Sequence, residues 1–287
     1  MANIYTGQVT GVSKIATGTP SALCRAVTGG SLSISHNTIR KVGIQNQVHA
    51  RPGILAAECT IEAVGVAKTD LALWFPTSAG VIVAAFPDLL IEVDDGVNGI
   101  EYVASGQPSR ATISVGAGDD TEVEYSLGVM CSNLDSQAAG TDSCAYNSLK
   151  GHSLSDITVT IGGTDYGVQS FSLENDLGAK RVNTMGTKTS GDKRWPTGVV
   201  IGAQGIKFSC VTTEPWPYSN QFADDPDWAV DIVIAMKNGT AGDDITITLS
   251  DMHPDSWNLP IGAEDVVGFE HEFGLASGQL FGRVSIS

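Results

Sequence analysis

Residues 115–129, VGAGDDTEVEYSLGV, lie over residues 261–275, IGAEDVVGFEHEFGL, without a gap and at an offset of 146. In each, a Gly-Ala turn leads into a segment where apolar and polar side chains alternate: Val123, Tyr125, Leu127 and Val129 in the first, Phe269, Phe273 and Leu275 in the second. Period-two alternation puts successive side chains on opposite faces of an extended chain, so both segments read as half-buried β-strands. His271 takes the place of Tyr125 on the apolar face, where the expected role is that of a hydrogen-bonded core histidine.

Working outward, residues 31–37, SLSISHN, parallel residues 170–176, SFSLEND, at an offset of 139. Each is a strand leading into a long polar loop, and the loops end in Arg51-Pro52-Gly53 and Arg194-Trp195-Pro196. A second strand follows each loop, Glu58 to Val64 and Gly205 to Val211, at an offset of about 147. The offset grows across the loop, as it does when the second loop is the longer, because surface loops tolerate insertion. Four matched segments in the same order predict a tandem repeat: residues 1–150 form the first domain, with a linker from about residue 131, and residues 151–287 form the second.

The rest of the chain fits a mainly β reading. Ile157, Val159 and Ile161 alternate with threonines, as do Ile245, Ile247 and Leu249, and 33 glycines supply turns. Gly29-Gly30 and Gly162-Gly163 are both read as turns between strands. Helix is expected in two places, about Thr69 to Phe75 and about Pro226 to Lys237, each opened by Asp or Thr capping chemistry.

The formal charge is −16, from 16 basic and 32 acidic residues, and it is spread over both halves. Such a field repels nucleic acid. Eight of the 16 basic residues nevertheless sit in the two matched loops: Arg40, Lys41 and Arg51 in one, and Lys180, Arg181, Lys188, Lys193 and Arg194 in the other. They are either solvated charges that keep a mixed surface soluble, or docking groups for an acidic surface on another copy of the chain. With Trp195 as the only aromatic among them, a nucleic-acid site is not indicated.

No catalytic or cofactor motif emerges: HExxH, GxSxG, GxxxxGK[ST] and strand-linked GxGxxG are all missing, and no acidic run follows the DxDxDG calcium spacing. The reading is therefore no enzyme, no cofactor and no metal. Asp224 to Asp227 before Trp228 is read as a helix N-terminus. The five cysteines, Cys24, Cys59, Cys131, Cys144 and Cys210, are read as small buried hydrophobes, with a disulfide or metal pair at Cys131 and Cys144 as the alternative. No signal-like N-terminus and no long apolar run occur, so a soluble cytosolic chain without a membrane partner is expected.

The order strand, long loop, strand, helix, Gly-containing turn and alternating strand resembles the tail tube proteins of long-tailed bacteriophages and the related type VI secretion tube protein. The matching segments are Ser31 to Val64 with Gly116 to Val129, and Ser170 to Val211 with Gly262 to Leu275. The resemblance implies two tandem β-sandwich or split-barrel domains, each with a short flanking helix and a long inter-strand loop. It implies a virion protein, assembled in the host cytoplasm, whose chains form homotrimeric pseudo-hexameric rings stacked into a tube alongside other tail proteins. The loops would then make the ring-to-ring contact, and DNA would pass without specific binding. Glu58, Thr60 and Glu62, with Lys207 and Ser209 as their counterparts, would line the channel. The linker from Cys131 to Lys150 and the stretch Pro76 to Gly106 have no place in that minimal pattern and are expected as decorations on the outer wall. A baseplate hub or distal tail ring of the same fold, or a carbohydrate-binding β-sandwich adhesin, are the alternatives.

Overall fold

The computed structural model describes residues 6–15, 19–38, 52–75, 86–94, 99–117, 121–138, 144–183, 194–202, 204–216, 229–240, 242–258, 268–275 and 283–287. The first half contains β1 (Thr6–Ile15), β2 (Pro20–Ala22), β3 (Cys24–Thr38), β4 (Pro52–Val66), α1 (Lys68–Trp74), β5 (Asp88–Asp94), β6 (Gly99–Val115) and β7 (Glu124–Ala138). The second contains β8 (Ile157–Ile161), β9 (Thr164–Asp165), β10 (Val168–Asp176), β11 (Lys180–Val182), β12 (Gly198–Val200), β13 (Gly205–Thr212), β14 (Val230–Met236), β15 (Ile245–Asn258), β16 (Phe269–Leu275) and β17 (Val284–Ile286). The protein is mainly β, as expected.

Six strands of the first half close on themselves, because β1 pairs with β3, β3 with β4, β4 with β7, β7 with β6, β6 with β5, and β5 returns to β1. The second half is open among the described residues. There β10 pairs with β13, β13 with β16, β16 with β15, β15 with β14 and β14 with β8. The join is β6: its residues 99–104 close the barrel against β5, and its residues 110–115 pair with β10. One sheet therefore runs β3-β4-β7-β6-β10-β13-β16-β15 across both halves.

The core follows this sheet. Ala63, Tyr125, Ile113, Leu173, Phe208 and Phe273 face one another in a row across six strands, each at most 2% exposed. Full burial of the isoleucine, leucine and phenylalanine members stabilises by about 1.5–3 kcal/mol each. The aromatic members add ring contacts: Phe171 stacks on Phe208 at 6.0 Å, and Trp216 meets Phe273 edge-on at 5.2 Å. The helix α1 packs Leu71 and Trp74 into the same core, and the Trp74 carbonyl accepts a hydrogen bond from Asn175 Nδ2 at 2.9 Å.

Several expectations are corrected. Residues 230–236 form a strand, not a helix: the β-branched run Val230, Ile232, Val233, Ile234 alternates in burial and sits between β8 and β15. The expected helix over 69–75 is α1, but its N-cap is Ala67, and no side chain caps it. Asp70 lies in its first turn, buried, with Lys14 Nζ at 2.6 Å from Oδ1; burial raises the carboxyl and Lys14 opposes the shift. Gly29-Gly30 lies inside β3, just after a bulge between Val27 and Gly29, and is not a turn; at Gly30 φ is +146° and a Cβ would stand 2.5 Å from the Thr60 carbonyl. Gly162-Gly163 is the tight turn expected, with both φ positive, between β8 and β9.

The stretch 76–106 and the linker 131–150 are not decorations where they are described. Residues 88–94 and 99–106 supply β5 and the first part of β6, two barrel walls, and β7 runs on to residue 138. Residues 144–150 run pinned along β1 and β3, with Ala145 N donating to Ser13 Oγ at 2.5 Å and Asn147 N to the Cys24 carbonyl at 3.0 Å. Cys131 is buried in the barrel wall and Cys144 lies beside Glu92, both as free thiols, as are Cys24, Cys59 and Cys210. Burial pushes the Cys24, Cys131 and Cys210 thiols up to about 12 and Cys144 up to about 11. The expected helix N-terminus at Asp224 to Asp227 lies outside the described residues.

Candidate functional site

The opposite face of the eight-stranded sheet is polar, and the structure brings all five expected channel residues onto it. On β4, Glu58 and Glu62 are exposed and Thr60 half-buried, while Ala57, Cys59, Ile61 and Ala63 between them are buried. On β13, Lys207 is exposed and Ser209 half-buried, between buried Ile206, Phe208 and Cys210. Cross-strand partners share a face, so the ladder traces these positions into rows. One row is Glu62, Ser126, Thr112, Glu174, Lys207 and Gly274; a second is Glu124, Ser114, Ser172, Ser209, Glu272 and Ser256. A third is Thr60, Gly128, Arg110, Asp176 and Gly205.

The face is built from serine, threonine, glycine and charge. Glu58, Glu62, Glu124, Glu174, Asp176, Glu270 and Glu272 supply seven carboxylates; Arg110 and Lys207 are the strand cations among them. Arg110 pairs with Glu174 at 2.7 Å, and Lys207 with Glu272. Counting Arg181, which reaches Glu58, these seven carboxylates stand against three cations, a net of four negative charges over ten residues, and the exposed Asp255 carboxylate over Gly274 adds to it. Where β6, β10, β13 and β16 meet, the face dips into an open trough of about 630 Å³ lined by Ser114, Ser172, Ser209, Ser256, Glu270 and Glu272.

The loop cations divide. Arg40, Lys41, Arg51, Lys188 and Lys193 lie outside the described residues. Lys180 and Arg181 stand on β11, which forms a two-stranded ribbon with β12. Lys180 is exposed. Arg181 is engaged inside the chain: its guanidinium donates to the Ala57 carbonyl and to Glu58 Oε1, both at 3.0 Å. The Arg194 carbonyl accepts from Leu55 N at 2.8 Å, and Trp195 beside it is buried. The described ends of the second loop, at Arg181 and Arg194, thus contact β4 of the first half.

His271 sits behind the trough, 3% exposed, between Trp216 and Phe273. Its Nε2 lies 3.0 Å from Thr212 Oγ1, whose own proton goes to the Glu214 carbonyl at 2.8 Å. The ring is therefore the donor, through Nε2–H. Burial lowers its pKa, and Nδ1 has no partner among the described residues, so the expected core histidine is hydrogen-bonded on one side of its ring only. Among the described residues, no group of three or more His, Cys, Asp or Glu side chains is placed to hold a metal ion, and no helix is long and apolar enough to cross a membrane.

Sequence reasoning missed the contribution of β6 and β10 to this face. Arg110, Thr112 and Ser114 alternate with Ala111, Ile113 and Val115, a pattern that could have placed them there. No protein-family model matches the chain, and no curated protein matches it.

Proposed function

We propose that this chain is a structural protein that assembles with copies of itself into rings stacked as a tube, of the kind found in phage tails, with the acidic sheet face turned to the channel. The observation that carries this is the face itself: one eight-stranded surface of hydroxyl, glycine and charged residues with a net negative charge. Like charge keeps a polyanion from adhering, and none of the residues named on this face is a Phe, Tyr or Trp on which bases could stack. DNA could slide past such a wall.

Two tandem copies of one domain are part of this reading. The neighbour order β1-β5-β6-β7-β4-β3 in the first half has its counterpart in β8-β14-β15-β16-β13-β10 in the second, strand for strand. Within these two orders, β3 closes onto β1, whereas β10 takes β6 in place of β8. Three such chains would give six domains around a ring. Neither catalysis nor a cofactor enters this role.

Negative-stain microscopy of the purified protein over a range of concentration and ionic strength tests it. Hollow filaments are the expected result. Single rings that never stack would move the reading to a hub or distal tail ring, and monomers under every condition would end both.

A further inference from the structure

We infer that the junction between the two halves is an acid-released latch, closed while the His152 ring is neutral and opened when it takes a proton. Three segments meet there around a cavity of about 40 Å³: Gly65 to Lys68, where β4 ends and α1 begins; Leu149, Lys150 and His152, where the halves join; and Gly242 with Asp243 and Ile245, where β15 begins. The joining segment is tied to both sides. On the second half, Lys150 N donates to Asp243 Oδ2 at 3.1 Å, and Asn238 Nδ2 donates to the Lys150 carbonyl at 2.8 Å. On the first half, Val123 N donates to the His152 carbonyl at 2.8 Å, and Leu154 N donates to the Thr121 carbonyl at 3.2 Å. The latch belongs to a single chain and does not depend on the tube reading.

His152 is 5% exposed and lines the cavity. Its ring faces the Asp243 backbone carbonyl, while Nε2 is buried and has no partner among the described residues. A neutral imidazole keeps one nitrogen as a bare acceptor, and a cavity of this size has room for water, which needs roughly 10–15 Å³. A proton turns that acceptor into a donor and puts a positive charge in the same enclosure. The surrounding charges are mixed. Lys68 on α1 and Lys150 oppose it; Asp156 just before β8, with Asp243 and Asp244 before β15, favour it; the Arg25–Glu122 pair beside Gly151 is neutral as a pair. Asp156 and Asp243 each use one carboxylate oxygen on the backbone of the joining segment, at Ser153 N and Lys150 N. Desolvation outweighs the carboxylates and holds the ring's affinity for a proton below its ordinary value. The proton is therefore taken up in a state where water reaches the ring and the joining segment has left the cavity.

Hydrogen exchange of the full chain, read by mass spectrometry from pH 7.5 to pH 5 and corrected for the pH dependence of the exchange chemistry, tests the latch. A histidine that gains its proton only in the open state, at an ordinary value of about 6.5, favours opening by about thirtyfold at pH 5. Peptides covering residues 149–156 and 237–246 are expected to lose protection by up to that factor, while peptides from β4 and β7 keep theirs. His152→Gln, which cannot titrate, should flatten the response, and His152→Asn takes its place if the glutamine variant does not fold. Protection of residues 149–156 that is indifferent to pH in the wild-type chain overturns the latch. So does a loss shared equally by β4 and β7, which is unfolding of the whole chain, and so does an undiminished response in a folded His152 variant, which assigns the proton to another group.

Discussion

Arg181 of the second half and Glu58 of the first are 3.0 Å apart, and the same guanidinium nitrogen also reaches the Ala57 carbonyl. With Leu55 N bonded to the Arg194 carbonyl, this fastens the β11–β12 ribbon across β4. The Glu58 side chain is 60% exposed, so water screens the ion pair, and the carbonyl bond carries more of the effect. Arg181→Ala is expected to destabilise by about 1–2 kcal/mol, the range for a charged donor lost from a partly exposed site. Thermal melting gives that figure, and limited proteolysis should show earlier cleavage in residues 177–203. Unchanged protection of this segment would show that the Leu55–Arg194 hydrogen bond and buried Trp195 hold it without Arg181.

Asn175 joins the halves at depth. Its side chain is fully buried and donates to the Trp74 carbonyl at the end of α1. Asn175→Ala leaves that carbonyl without its donor and is expected to cost about 1–3 kcal/mol. Because one core runs through both halves, calorimetry should show a single transition moved to lower temperature. Two separated transitions would mean that the halves fold independently.

His271 gives a pH dependence. Its folded pKa is held below that of the unfolded chain by burial, so the unfolded state binds the extra proton first. The contribution of His271 is complete above the unfolded value of about 6.5 and is lost as pH falls below it. His152, also buried and shifted down chiefly by desolvation, acts in the same sense. Melting temperature should fall from pH 7.5 to pH 5. In His271→Gln, which cannot titrate, the fall should be shallower but still present; equal slopes would remove His271 from the account.

The acidic face makes a prediction about DNA. Reversing Glu62, Glu124 and Glu270 to Lys turns a net of four negative charges into two positive ones, counted over the same ten residues. Duplex DNA is expected to be shifted in a gel by the triple variant at low salt and released as salt rises, while the wild type leaves it unshifted. Binding by the wild type would count against a channel that lets DNA slide.

What the sequence showed depended on whether a feature was local. Alternation at Glu58 to Ala63 and at Ile206 to Cys210 placed the polar face correctly, because side-chain parity is set by neighbours in the chain. Register was less visible. The ladder sets Leu32 opposite Cys59 and Phe171 opposite Cys210, so strands matched at 139 require their partners to match at 151, four residues from the offset of about 147 read in the sequence. A slip of four preserves parity, which is why the pattern gave no warning. The strand at Val230 to Met236 was hidden by a stretch apolar enough to suit either structure. Barrel closure and the contacts of Arg181 and Arg194 with β4 depend on residues distant in the chain, and nothing local announces them.

The shared strand β6 also bears on mechanics. A force directed along the strands loads the six residue pairs between β6 and β10 together, in shear, whereas a force across the sheet opens them one after another. The two halves of the chain should therefore slide past each other far less readily than they peel apart, and a wall made of such seams would be stiff along its strands and yielding across them.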